Sequence, residues 1–120
     1  MNKKQLGNFG EDKAAQFLRK NGYKILQRNY SSQFGEIDII ASKSGYVIFV
    51  EVKLRKNADF AEAREFVTFS KQRRIISTAS LWLAQEDCQL QPRFDVIEIY
   101  APDGVGTRQL QINHIIDAFQ

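Results

Sequence analysis

Apolar and polar residues alternate with a period of two from Tyr46 to Leu54. Ile48, Val50, Val52 and Leu54 fall on one side, and Val47 and Phe49 on the other. With its Val, Ile and Phe content, this run predicts a β-strand. The preceding run, Glu36-Ile37-Asp38-Ile39-Ile40-Ala41, is also strand-like, and Ser42-Lys43-Ser44-Gly45 has turn composition. With Ser44-Gly45 as a two-residue loop, Lys43 pairs with Tyr46, Asp38 stands opposite Glu51 and Glu36 opposite Lys53. Helical spacing predicts a helix over Asn8–Lys20, capped by Asn8, with Glu11 and Asp12 in its first turn and Asn21-Gly22 closing it. Ala14, Ala15, Phe17 and Leu18 form its inner stripe. A second helix is predicted over Ser70–Gln85, with Ile75, Ile76, Ala79, Trp82 and Leu83 facing inward. Tyr23–Tyr30 and Arg93–Ala101 read as strands, Gln33-Phe34-Gly35 and Pro102-Asp103-Gly104 as turns, Arg55–Phe66 as a polar connection, and Ile112–Phe119 as a short closing helix. This order predicts an α/β or α+β sheet with helices packed on it. The runs Ile37–Ala41 and Val47–Val52 fit central strands covered on both faces.

Composition narrows the class. A chain of 120 residues is expected to form one domain, spanning 1–120, with a core of its own. Its 43% hydrophobic and 26% charged residues exclude disordered and collagen-like chains. The single Cys88 forms no internal disulfide, points to a reducing compartment and rules out a cysteine-based zinc site. The opening Met1-Asn2-Lys3-Lys4-Gln5 carries no apolar segment, and no stretch approaches the length of a membrane span. A cytoplasmic protein without membrane contact is expected. The net charge of +3 leans toward an acidic partner without naming one.

The charges of the hairpin are the first chemical signal. Asp38, Glu51 and Lys53 interrupt a face that also carries Ile40, Val47 and Phe49. Two carboxylates facing each other across strands repel, since opposed Cβ atoms lie roughly 4.5–5.5 Å apart. Such a pair calls for a compensating cation, which is the pattern of a metal site. A plain solvated sheet surface is the competing reading. It would more naturally set Lys opposite Glu.

Several motifs together are specific enough to name a resemblance. Asp38, then Glu51-Val52-Lys53 at a strand end, after a helix bearing Glu11, resembles the PD-(D/E)xK nuclease superfamily, which includes restriction endonucleases and archaeal Holliday-junction resolvases. Gly7-x-x-Gly10-Glu11-x-x-Ala14, Arg28-Asn29-Tyr30, Gly35-Glu36-Ile37-Asp38-Ile39-Ile40-Ala41, Val50-Glu51-Val52-Lys53-x-Arg55, Arg93-Phe94-Asp95-Val96 and His114-Ile115 resemble the YraN-type family of small bacterial proteins. The likeness runs from Gly7 to Phe119. It departs at Asp59-Phe60-Ala61-Glu62-Ala63, where a small, glycine-containing stretch is expected. The resemblance implies a restriction-endonuclease-like α/β fold, a central mixed sheet with helices packed on it, and a metal site.

Phosphodiester hydrolysis suits such residues. Mg²⁺, with Mn²⁺ as a substitute, takes oxygen ligands from one or two carboxylates plus water. Asp38 and Glu51 would be those ligands, with the Val52 carbonyl as a third. Lys53 would reach the attacking water or the charge developing on the phosphate. Glu11 would approach from the first helix, although a Glu in a first helical turn is also favoured by the helix dipole alone. Glu36 reads as a neighbour of Lys53. Lys71, Arg73 and Arg74, joined by Arg55, would form a basic rim for a nucleic-acid backbone, with Arg28, Lys56 and Arg64 as weaker candidates; simple solvation explains the same charges. Phe9, Phe17, Phe66, Phe69 and Trp82 read as core, Asp95 as a structural partner of Arg93, and His114 as a cap or packing residue of the last helix. A metal-dependent nuclease acting on DNA, branched or structured DNA included, is the first functional expectation. The alternative is a non-catalytic nucleic-acid-binding or assembly module. A carboxylate pair of the glycosidase kind explains neither Lys53 nor the basic helix. A symmetric junction substrate would call for a twofold homodimer.

Overall fold

The alternation along Tyr46–Arg55 decides the architecture. Val47 and Phe49 pack with Ile75, Ala79 and Trp82, whereas Ile48 and Val50 pack with Ala14, Ala15 and Leu18. Successive residues of one strand thus meet different helices, so the two helices lie on opposite faces of the sheet. The structure, a computed structural model, describes residues 3–55 and 67–120. Helix α1 (Lys3–Lys20) leads into strands β1 (Lys24–Ser32), β2 (Gly35–Lys43) and β3 (Tyr46–Arg55), which pair antiparallel. Helix α2 (Phe69–Gln85) precedes β4 (Gln91–Tyr100), which runs parallel to β3, and β5 (Gln111–Phe119) returns antiparallel to β4. The sheet order is β1-β2-β3-β4-β5. This is a mixed α/β fold with one five-stranded mixed sheet. Among the described residues, no helix is long and apolar enough to cross a membrane.

The β2–β3 turn takes the form its sequence asks for. Ser44 and Gly45 have φ of 51° and 86°, the doubly left-handed pair that matches the twist of a tight hairpin. Lys43 faces Tyr46 and Ile40 faces Phe49, as expected. Helix α2 begins one residue early, at Phe69, with the Thr68 hydroxyl accepting from the Lys71 N–H at 3.1 Å. Trp82 is buried, but Phe69 is 74% exposed and does not belong to the core.

Two expectations are overturned. Helix α1 starts at Lys3, so Asn8 lies inside it and no acidic residue occupies its first turn. Glu11 sits midway along the helix, beyond the reach of its dipole. The segment expected to close the chain as a helix is strand β5. Ile112, Ile115, Ile116 and Phe119 have helical spacing, but the spacing comes from an irregularity in a strand. Asp117 has φ 56°, and the β4–β5 register shifts between Phe94 and Val96. The segment 56–66 lies outside the described residues, and with it most of the expected polar connection, Lys56, Arg64, Phe66 and the departure at 59–63.

A fully buried carboxylate fastens β5. Asp95 accepts from Arg93 Nε and Nη2 at 2.9 and 2.8 Å, from His114 Nε2 at 2.7 Å and from the Asp117 N–H at 3.0 Å. Arg93 also donates to the Tyr23 hydroxyl at 2.9 Å, and the His114 ring packs against Phe17 and Tyr23. Asp95 is therefore structural, as expected, but His114 serves a strand. Burial alone would push the Asp95 carboxyl up; the hydrogen bonds from His114, Arg93 and the Asp117 N–H outweigh it and hold the group below its ordinary 3.8. A depressed carboxylate contributes stability above its unfolded-state value and loses it as pH falls. Asp95→Ala should cost about 3–5 kcal/mol, because it strands a largely buried arginine. It should also remove part of the stability loss seen below about pH 4. Urea unfolding at acid and neutral pH checks both, and an unchanged acid limb would remove Asp95 from that role.

Candidate functional site

The candidate site lies where the central hairpin opens. The β2–β3 ladder runs regularly from Lys43–Tyr46 to Ile39–Val50 and ends there. Continued by one step it would set Asp38 against Glu51. Instead the Asp38 side chain enters the gap, and its Oδ2 accepts from the Val52 N–H at 2.8 Å. Strand β2 turns over at this point: Ile37 packs in the core under α2, but Ile39, two positions on, packs under α1. Strand β1 does the same opposite it. Arg28 reaches α1 while Tyr30 hydrogen-bonds Gln85 of α2. The unpaired positions between the matched couples Arg28–Ile39 and Tyr30–Ile37 are Asn29 and Asp38. Simple face parity therefore fails for Asp38, which stands at the break between the two faces.

Glu51 and Lys53 project on the α2 side. Lys71 of α2 brings its Nζ to 2.8 Å from Glu51 Oε1, closer than Lys53 Nζ at 3.6 Å. Lys71 is thus the main partner of Glu51 and only part of it is open to solvent. Lys71, expected in a basic rim with Arg73, Arg74 and Arg55, therefore also serves as the counter-charge of Glu51. Burial, then the charge of Glu51, pushes the Asp38 carboxyl up to about 7; the Val52 N–H and Lys71 oppose the shift, and Glu11 adds to it. Burial also holds Lys53 below its ordinary value, with Glu51 opposing and Lys71 reinforcing. Lys71 is held above its own: burial would lower it, and contact with Glu51 prevails.

On the α1 side, Asp38 and Glu11 share a cavity of about 300 Å³ with Gly7, Gly10, Val52 and Leu54. Glu11 is 6% exposed. Its Oε1 accepts from Arg28 Nε at 2.8 Å and from Asn29 Nδ2 at 3.0 Å, and Arg28 Nη2 also reaches Asp12 at 2.6 Å. Arg28 is therefore committed to α1. Among the described residues, no three carboxylate, histidine or cysteine side chains converge as a ready cation site. Mg²⁺ does not need three, since it binds through one or two carboxylates and retained water. The fit rests on Asp38, whose carboxyl is raised first by burial and then by the charge of Glu51, which a cation would offset.

The remaining predicted residues disperse. Arg74 stands near Lys71, around a small cavity with Gly35 and Glu36. Arg73 lies over the Phe69 ring at 5.9 Å and lines a separate cavity of about 870 Å³ with Tyr46, Phe94 and Ile116. Arg55 walls a cavity with Leu6, Leu54, Ala101 and Gly104, away from that rim. Glu36 pairs with Ser31 of β1 and not with Lys53. Sequence reasoning gave no role in the site to Asn29 and took Lys71 for a surface contact. The adjacent polar pair Arg28-Asn29 within a strand was the available signal for the former; nothing local identified the latter.

These features define a mixed α/β protein with a buried acidic cluster at a break in its central hairpin. Comparison gives its family: residues 10–99 match the family described as "Uncharacterised protein family UPF0102", and the chain belongs to it. It is 44% identical over 120 residues to the UPF0102 protein of Caldanaerobacter subterraneus subsp. tengcongensis, covering 99% of this chain and 98% of that one. The UPF0102 protein of Clostridioides difficile is likewise 44% identical over 120 residues, covering 99% of this chain and all of the relative. That of Vibrio parahaemolyticus is 45% identical over 100 residues, 82% of this chain and 83% of the relative.

Asp38 makes the metal-free protein sensitive to pH. A folded-state value raised from 3.8 to about 7 means that its stabilising contribution is complete at acid pH and is lost as pH rises through that window. Asp38→Asn should flatten this part of the stability profile. Urea midpoints between about pH 4 and about pH 8 in a chelator check it, and identical profiles for both proteins would refute the shift.

Proposed function

We propose that this protein is a metal-dependent nuclease of the PD-(D/E)xK type, with a restriction-endonuclease-like fold, that hydrolyses phosphodiester bonds in DNA, branched or structured DNA included. The observation that carries the reading is the set Asp38, Glu51 and Lys53 at the opened end of the hairpin, with the Asp38 carboxyl raised by burial and by Glu51. Asp38, Glu51 and the Val52 carbonyl would hold Mg²⁺ or Mn²⁺. When bound, the cation supplies an acidic water and offsets charge on the phosphoryl oxygens. Lys53, whose Nζ lies 3.6 Å from Glu51, would reach the attacking water or the charge developing on the phosphate. Glu11 bounds the α1 side of the same cavity. Arg73 and Arg74 are exposed and offer phosphate contacts that carry no base preference.

Calorimetric titration with Mg²⁺ and Mn²⁺ tests the reading, alongside cleavage of linear, flapped and four-way DNA. Asp38→Asn and Glu51→Gln should each weaken divalent-cation binding by more than the roughly 10–100-fold cost of losing a residue that merely supports a ligand. Both should abolish cutting while leaving metal-free DNA binding in place. Undiminished cation affinity in both variants would overturn the assignment. Cation and DNA binding without cleavage of any substrate would favour the non-catalytic nucleic-acid-binding module. Arg73→Ala and Arg74→Ala should each reduce the salt slope of DNA binding by up to about one unit. Unaltered slopes would return both to plain surface.

A further inference from the structure

Arg28 and Asn29 are adjacent in β1, yet both side chains donate to the same oxygen of Glu11, at 2.8 and 3.0 Å. In a regular strand, consecutive side chains point to opposite faces. The backbone at Asn29 removes that constraint with φ 54°, a left-handed value that Asn tolerates better than most residues. Tyr30 is thereby sent to the other face, where its hydroxyl donates to Gln85 at 2.6 Å. The strained residue lies at an unpaired level of the β1–β2 ladder, directly across from Asp38.

The pattern exceeds what tying a strand to a helix requires. Arg28 already meets Asp12 of α1 at 2.6 Å, and that contact alone would join the two elements. Both donors to Glu11 converge on Oε1, and among the described residues no hydrogen bond is made to Oε2. Glu11 and Asp38 share one cavity. A carboxylate with one oxygen fixed and the other left as an acceptor is arranged as a ligand whose direction has been set. Backbone strain beside it fits a position where geometry matters more than local stability.

We propose that Arg28 and Asn29 are positioning residues that orient Glu11 as a further carboxylate of the cation site, holding Oε1 and presenting Oε2 to the cation or to its bound water. The inference rests on the metal-centre reading above. Asn29→Gly tests it cleanly, because glycine keeps the left-handed backbone and deletes only the amide. Mn²⁺ affinity of the full chain, measured by calorimetry, should fall roughly tenfold, the scale typical of losing a ligand's orienting partner. The melting temperature in a chelator should stay close to that of the parent. In a Glu11→Gln background the same substitution should leave Mn²⁺ affinity unchanged, since nothing remains to orient. Arg28→Lys, which keeps a cation for Asp12 but loses the planar donor, should behave as Asn29→Gly does. Parental Mn²⁺ affinity in both single variants, or an equal loss with and without Glu11, would overturn the positioning role while leaving the metal centre standing. A parent chain that binds no Mn²⁺ would bring down the metal centre, and this inference with it.

Discussion

The hydrogen bond from the Val52 N–H to the Asp38 carboxylate is the contact on which the rest of the site depends. Where a strand neighbour's carbonyl would otherwise serve, a side-chain carboxyl oxygen accepts the hydrogen bond. The Val52 N–H is thereby satisfied where the ladder ends. The bond's geometric effect is larger than its energy. The strands part, β2 turns over between Ile37 and Ile39, and one carboxylate becomes accessible from the helix on either side. Glu11 approaches it from α1, while Glu51 and its two lysines belong to the side of α2.

The electrostatics explain how so many charges coexist in a small volume. Glu51 is answered by Lys71 and Lys53, and Glu11 by Arg28. Asp38 forms its hydrogen bond with a backbone N–H, and burial and then Glu51 displace its carboxyl toward the neutral form. Lys71 holds Glu51 in the position a divalent cation would claim, so the protein can fold around its acidic residues with no ion present, and any ion must compete with an ammonium group.

How much of this was legible depended on how regular each element is. The hairpin register followed from strict alternation and from a Ser44-Gly45 turn whose residues accept positive φ. The covered central strands followed from apolar runs that only Asp38 and Glu51 interrupt. Reading failed where the backbone leaves its period. Asp117 shifts β5 so that its isoleucines imitate a helix. Asn29 and Asp38 reverse the faces of their strands, so parity counted along the chain assigned Asp38 to the wrong kind of surface. The pairing of Lys71 with Glu51 is illegible for a different reason: the partner lies twenty positions away on another element, and no local pattern encodes such a meeting. The early start of α1 mattered as well, since it moved Glu11 out of the helix dipole and left its hydrogen bonds as the reason for its place.

The parallel pairing of β3 with β4 has a kinetic consequence. Strands β1, β2 and β3 meet through two-residue turns and close short loops, which costs little chain entropy. A parallel neighbour cannot be reached that way. The chain must first travel a long crossover that contains α2 before Val50 can lie beside Asp95. On loop-closure grounds the acidic residues, all carried on α1 and the first three strands, assemble from low-contact-order pieces, and the lysine that neutralises Glu51 arrives with the slower, non-local half. Docking of α2 then joins two events in one step, completion of the hydrophobic layer and the meeting of Lys71 with Glu51.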